Sequence, residues 1–225
     1  MKDLVELVSE LPSSYEFQLF KKEIRFAEEL IGYVESGRLA EAIFVEENPV
    51  SSQTVYMDII YPGQLIGLPI KKQDAFSDLK YIALENSTVK LSTSSRFIWH
   101  YQRTMDSGKL QALLIDYSEA KRNGLGERLR ELILKKGISR LAASIEHLAN
   151  KQEGSGSVVL DVTMDDLAAM SLLARENVCY LINDALRVRR GIQPKHFPLH
   201  KPATFEPLSR LVESKGKRAI YIDMA

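Results

Sequence analysis

Cysteine is nearly absent from this chain. A single thiol, Cys179, in 225 residues excludes an internal disulfide framework, a cysteine-rich metal site and a thiol-ligated iron–sulfur cluster. Long apolar runs are missing as well. Nothing approaches the roughly 18 apolar residues that a membrane-spanning helix requires. The N-terminal MKDLVELVSELPSSY lacks the basic-then-apolar pattern of an export signal. A cytoplasmic location with no membrane partner is therefore expected. Net charge is also absent, since 30 Lys+Arg balance 30 Asp+Glu, and a general polyanion binder is not indicated. Catalytic equipment is lacking. His100, His147, His196 and His200 have no carboxylates at metal-ligand spacing, and Pro198 argues against a helix that would align His196 with His200. There is no glycine-rich phosphate loop and no nucleophile elbow. No enzyme activity, metal or cofactor is expected.

What is present is an apolar content of 45%, enough for one large or two ordinary domains, and a polarised charge distribution. Between Ala185 and Ile220 stand Arg187, Arg189, Arg190, Lys195, Lys201, Arg210, Lys215, Lys217 and Arg218. Only Glu206 and Glu213 oppose these nine, a formal excess of +7. Such a basic end is either a solvated surface or the footprint of a nucleic-acid-binding domain.

The most informative stretch is Thr163 to Leu186, TMDDLAAMSLLARENVCYLINDAL. It reads as two short helices with a tight link. Thr163 caps the first, with Asp166 in the capping-box position, and Leu167 and Met170 form its apolar face. Arg175, Glu176 and Asn177 open the second, whose buried stripe is Val178, Leu181, Ile182 and Ala185. The pair is either an ordinary helical hairpin or a helix-turn-helix that presents polar side chains to a DNA major groove.

The flanking texture orders the rest. KDLVELVS, residues 2–9, reads as a short amphipathic helix. From Phe17 to Ser95 come β-prone runs (EIRF, LIGYVES, EAIFVEE, TVYMDIIY, LIGLPI, KYIAL, TVKLS) separated by Ser36-Gly37, Asn48-Pro49, Pro62-Gly63 and Glu85-Asn86, the spacing of a compact β-sandwich or barrel. RFIWHYQRTM is a helical piece. Lys109 to Lys136 is a long helix with Leu110, Leu113, Leu114, Tyr117, Leu125, Leu129 and Leu132 as its seam. The seam packs either on the β-domain or on a second copy, and the homodimer is the favoured reading. Gly124 and Gly126 mark a bend or break, and Gly137 ends the helix. ISRLAASIEHLANKQ is a further helix, EGSGS a connector and VVLDV a strand. Pro194, Pro198, Pro202 and Pro207 make residues 192–207 irregular. LVESKGKRAIYIDM reads as a hairpin with Lys215-Gly216-Lys217 at its tip, a wing whose basic residues touch phosphates.

This order of parts resembles the Crp/Fnr superfamily of bacterial transcription regulators over nearly the whole chain. KKEIRF, YVESGRLAE and YPGQLIGL look like its β-roll, with an exposed Ser-Gly turn and a Pro-Gly-x-x-x-Gly element. Lys109 to Lys136 falls on its dimerisation helix, ISRLAASIEHLA on the helix that opens its DNA-binding domain, and ESKGKRAIYI on its wing. The resemblance implies an α+β fold. Residues 1–108 form a cyclic-nucleotide-binding-like β-roll (a jelly roll), 109–137 a dimerisation helix and 138–225 a winged helix-turn-helix. It implies a homodimer, joined through Leu110, Leu113, Leu114, Tyr117 and Leu125, that reads a pseudo-palindromic stretch of double-stranded DNA, with RNA polymerase as a further candidate partner. The DNA contacts it implies are Arg175, Glu176, Asn177, Tyr180, Thr163, Arg187, Arg189, Lys215, Lys217 and Arg218. Arg175 and Glu176 match the family's base-reading pair, an Arg for guanine and a Glu for cytosine.

The sequence departs from the family pattern in several places. Tyr180 stands where many relatives carry a second base-reading Arg, and can bond a phosphate or pack on a thymine methyl. Ala174 replaces a capping Ser. Leu172-Leu173 replaces Gly plus a small residue in the turn. About sixteen extra residues, Arg190 to Phe205, precede the wing, extending the basic DNA surface or contacting another protein. Gly67 is followed by Leu68-Pro69 instead of Glu-Leu, and no Arg lies between Arg38 and Arg96. A buried cyclic phosphate would have no bidentate partner there, so control by a cyclic nucleotide is not expected. His100, beside Trp99 and Tyr101, is ordinary packing or a haem ligand; Cys179 is a small half-buried thiol or a redox sensor. Two other classes of protein compete: a β-roll adaptor whose helix-turn-helix no longer touches DNA, and a cupin-like enzyme, for which the metal set is missing.

Overall fold

The computed structural model describes residues 2–11, 16–20, 23–25, 29–48, 51–70, 79–151, 158–197, 201–213 and 220–222. The chain divides into two compact units, Met1–Arg128 and Leu129–Ala225.

The first unit opens with α1 (Lys2–Ser9) and continues through β1 (Glu16–Phe20), β2 (Glu23–Arg25), β3 (Leu30–Ser36), β4 (Leu39–Asn48), β5 (Ser51–Ile60), β6 (Leu65–Ile66), β7 (Lys80–Ala83) and β8 (Asn86–Thr93). These make two antiparallel four-stranded sheets, ordered β1-β8-β3-β6 and β2-β7-β4-β5, the β-roll expected from the sequence. β1 is an additional strand not singled out there; it pairs with β8 from Glu16↔Lys90 to Phe20↔Asn86. β4 and β5 pair over their whole length with shifts at Glu41/Ala42 and Glu46/Asn48. Gly37 and Gly63 take positive φ at the Ser-Gly and Pro-Gly turns. At Gly37 a Cβ would sit 2.5 Å from the Asn86 carbonyl oxygen, so only glycine lets the chain pass there.

After the strands, Thr93 caps α2 (Ser94–Tyr101), and α3 runs from Ser107 to Leu134. Gly124 and Gly126 do not break α3. Leu125 between them and Arg128 after them are both buried, and tertiary packing outweighs the roughly 1 kcal/mol that each glycine costs a helix. Part of the leucine seam lies inside this unit. Leu110, Leu114 and Tyr117 are buried with Leu4, Val8, Ile31, Leu65, Phe97 and Tyr101 in the core of this unit, and Leu113 packs against that cluster. Leu125 is buried too. Leu110, Leu114 and Tyr117 are thus covered within one chain, while Leu113 and Leu129 are only partly buried.

In the second unit α4 (Gly137–Lys151) begins at the glycine that was expected to end α3. Then follow β9 (Val158–Leu160), α5 (Met164–Ser171), α6 (Arg175–Arg189), a 3₁₀ turn (Pro202–Phe205), α7 (Glu206–Leu211), β10 (Val212–Glu213) and β11 (Ile220–Ile222). Leu141, Ile145 and Leu148 of α4 are buried, as are Leu167 and Met170 of α5, Val178, Leu181 and Ile182 of α6, and Leu208 of α7. Ser144 on α4 donates to Met170 O at 3.2 Å. α7 is a second addition to the sequence reading, in which residues 192–207 are irregular. Pro207 sits in its first turn, where a missing N–H costs nothing. β11 pairs with both β10 and β9 in a three-stranded antiparallel sheet. The tip between β10 and β11, with Lys215, Lys217 and Arg218, and the EGSGS connector lie outside the described residues.

Candidate nucleic-acid interface

The helix pair is built as its sequence prescribes. Thr163 Oγ1 accepts from Asp166 N at 3.1 Å, and Asp166 Oδ2 accepts from Thr163 N at 2.8 Å. This reciprocal capping box fixes the start of α5. The hydroxyl of Thr163, proposed from the resemblance as a DNA contact, is thus engaged in the cap. At the other end Leu172 adopts φ 53°, ψ 46°, and Leu173 N donates to Ala168 O at 3.1 Å. This is the left-handed closure that glycine normally supplies. The turn keeps its geometry with leucine in place, at a backbone cost of roughly 1–2 kcal/mol.

α6 starts at Ala174 with no side-chain cap. Its first turn, Arg175, Glu176 and Asn177, is exposed, and Tyr180 one turn on is 42% exposed. Arg175 Nε lies 3.3 Å from Asp165 Oδ1 on α5, with both side chains mostly in solvent. Exposed pairs of this kind contribute little and are readily exchanged for another acceptor. Arg187 and Arg189 are placed differently. Arg187 Nε donates to Gln193 O at 2.9 Å, and Arg189 Nη1 to Val212 O at 3.0 Å and Arg210 O at 3.3 Å. Both guanidiniums brace the backbone that follows α6. Cys179 is half-buried.

The carboxylate of Asp184 could not have been singled out from the sequence. It is fully buried on α6 and accepts from the backbone N–H groups of Lys195 (2.8 Å), His196 (2.9 Å) and Phe197 (2.9 Å), while its Oδ1 lies 3.1 Å from His196 Nδ1. Burial by itself would raise this carboxyl. The N–H groups of Lys195 and Phe197, with both donors of His196, outweigh it and hold the carboxyl below the ordinary value. The His196 ring stacks on Tyr180, with centroids 4.5 Å apart and planes 13° from parallel.

In the first unit, the Gly67–Ile70 stretch is tied down by protein groups. Gly67 N donates to Tyr81 Oη at 2.8 Å, Ile70 N donates to Ser118 Oγ at 3.2 Å, Ser94 donates to Pro69 O, and Arg122 donates to Ile70 O. Gly67 has φ +96°, and a Cβ there would lie 2.2 Å from Leu30 O. Tyr81 in turn donates to Glu41, whose Oε1 is 2.8 Å from Lys121 Nζ on α3. That ammonium lies 5.8 Å from the ring centroids of both Tyr81 and Tyr117. Burial raises the Tyr81 hydroxyl well above its ordinary value, and Glu41 adds to this. For Lys121 burial acts downward, but Glu41 and the two tyrosines outweigh it and raise its pKa well above the usual value. His100 packs edge-on against Tyr101, centroids 4.7 Å apart. Among the described residues no three His, Cys, Asp or Glu side chains converge as metal ligands, and no helix is long and apolar enough to cross a membrane.

A two-sheet β-roll followed by a long helix and a winged helix-turn-helix defines an architectural class. Solved structures share it across the chain. A cyclic nucleotide-binding domain containing protein from Listeria monocytogenes aligns at a TM-score of 0.63 and 14% identity, over 99% of this chain and 96% of that one. FixK2 from Bradyrhizobium japonicum aligns at 0.62 and 15%, over 92% and 91%. TTHA1359, a transcriptional regulator of the CRP/FNR family from Thermus thermophilus, aligns at 0.50 and 17%, over 92% of each chain. No family model and no curated protein matches the sequence. The chain has the Crp/Fnr fold.

Proposed function

We propose that this protein is a homodimeric, sequence-specific DNA-binding transcription regulator, with residues 1–108 as effector domain, 109–137 as dimerisation helix and 138–225 as DNA reader. The observation that carries the reading is the first turn of α6. Arg175, Glu176 and Asn177 stand exposed there, on a helix that follows α5 through the left-handed closure at Leu172. An Arg in that position can bond guanine N7 and O6 together, and a Glu can accept from cytosine N4. Because Leu110, Leu114 and Tyr117 are used internally, the dimer contact falls to the outer side of α3, where Ile115 is exposed. Two copies would read half-sites about one helical turn apart. The operator is double-stranded DNA, and RNA polymerase is a candidate second partner.

Control without a cyclic nucleotide is supported by the Gly67–Ile70 stretch. The Gly67 N–H is spent on Tyr81, and the nearby cation, Lys121, is spent on Glu41. The Leu172-Leu173 turn and the insertion after Arg190 favour the adaptor alternative; the turn closes with Leu172 in the left-handed conformation.

The experiment is a binding titration on duplex DNA across salt concentrations. Arg175→Ala should abolish the preference for the selected site over unrelated DNA, whereas Lys217→Ala should weaken both and reduce the salt slope by about one. If both variants bind the selected site as the parent does, α6 and the wing are not the reading surface.

A further inference from the structure

The chain that leaves α6 turns back onto it. Gly191 makes the turn with φ +71°, Arg187 holds Gln193 O, and Pro194 is buried. Asp184 then takes the three successive N–H groups of Lys195, His196 and Phe197. The result is a stacked Tyr180–His196 pair on the exposed side of α6, four residues beyond Glu176 and therefore on the same helix face.

Three features distinguish this arrangement from a plain connector. The first is its anchor. Burying a carboxylate is expensive unless it is fully satisfied, and Asp184 has a donor for each of its bonds. The second is rigidity. With Nδ1 held by Asp184, the His196 ring has a fixed orientation and its Nε2 is left for another partner, while the side chain retains 28% exposure. The third is charge. Between Asp184 and Glu206 the sequence holds no acidic residue, but Arg187, Arg189, Arg190, Lys195 and Lys201 lie there, and Arg190 and Lys195 are exposed. A preorganised aromatic pair in a basic surround suits a polyanion that also offers apolar and hydrogen-bonding edges, which describes the major groove of duplex DNA.

We propose that Tyr180 and His196 act as a single sequence-selecting element, with residues 191–197 forming a second reading segment beside α6. This rests on the DNA-reading assignment of α6. The stacked rings present an apolar edge to a thymine methyl, and the Tyr180 hydroxyl and His196 Nε2 present polar edges to a base or phosphate. Asp184 is a positioning residue that acts through His196.

The test is selection from a duplex library randomised over about two helical turns, with the parent, Arg175→Ala, Tyr180→Ala, His196→Ala, His196→Phe and the Tyr180→Ala/His196→Ala double variant. Tyr180→Ala and His196→Ala should lose preference at the same base pairs, with affinity for the parent's site falling about 10-fold and binding to unrelated DNA unchanged. The double variant should be within about twofold of the weaker single variant, as expected of a coupled pair. His196→Phe, which keeps an aromatic ring on Tyr180, should retain most of the preference. Arg175→Ala should lose preference at different base pairs. If His196→Ala selects the parent's sequence with unchanged strength while Arg175→Ala does not, the paired element is wrong and the α6 assignment stands. If the parent enriches no sequence, both are wrong.

Discussion

Glu41 and Asp184 are both buried carboxylates, one in each unit, and they are satisfied in opposite ways. Glu41 meets side chains: the Lys121 ammonium at 2.8 Å and the Tyr81 hydroxyl. Those partners come from β7 and α3, so the carboxylate joins a sheet to a helix inside the β-roll. Asp184 meets backbone N–H groups of one short segment, plus His196. It does not join core elements; it shapes a surface loop and the ring stacked on Tyr180. A charge buried against a charge serves internal architecture, whereas a charge buried against a run of N–H groups sets the form of an exposed edge. The first unit has turned its polar interior inward, and the second has used one to build outward.

The largest effect expected from this contrast is in the first unit. Lys121→Met leaves Glu41 buried without its cation and should cost about 3–5 kcal/mol in denaturant unfolding. The Glu41→Gln/Lys121→Met double variant should recover much of that loss, and a double variant as unstable as the single would show that the pair is not the source. Asp184→Ala should cost less, about 2–4 kcal/mol for three unsatisfied donors. Amide exchange should rise at residues 195–197 and stay unchanged in the β-roll.

The two sites also differ in pH response. Lys121 and Tyr81 both have raised pKa values in the folded chain. Their contribution is complete below about pH 10, the ordinary range of these groups, and is lost as pH rises through the raised values. Asp184 is lowered, so its contribution is present above about pH 4 and is lost as pH falls through the lowered value. Unfolding midpoints against pH should therefore show Lys121→Met flattening the alkaline limb and Asp184→Asn the acid limb. Equal flattening of one limb by both variants would break the comparison.

Smallest are two backbone exchanges. Leu172→Gly should stabilise or be neutral, by up to about 1 kcal/mol, because φ 53° is a glycine conformation. Gly124→Ala should also stabilise by up to about 1 kcal/mol, since a Cβ there meets nothing within 4 Å.

Local and periodic features were legible in the sequence. The β-prone runs from EIRF to TVKLS, the Thr163 capping box and the α5–α6 pair all depend on neighbours within a few residues, and each is present in the fold. Features that depend on distant partners were not legible. Leu110 and Leu114 have a seam's spacing whichever surface covers them, and only the folded chain shows α1 and the β-roll doing so. Gly124 reads as a break until the packing of Leu125 is known. Pro207 reads as irregular until it falls in the first turn of α7. Asp184 and His196 are twelve residues apart with nothing in their spacing to join them, and the same holds for Glu41, Tyr81 and Lys121. On α6, Arg175, Glu176 and Tyr180 are exposed, while Arg187 and Arg189 brace backbone carbonyls.

We propose that α6 reads base edges in the major groove. This is tested most directly by replacing each guanine of the selected site in turn with 7-deazaguanine, which removes the N7 acceptor and leaves the pairing intact. The parent should lose about 10-fold in affinity at one guanine of each half-site, and Arg175→Ala should be insensitive to the same replacement. A parent whose binding is unchanged by replacement at every guanine would contradict the claim.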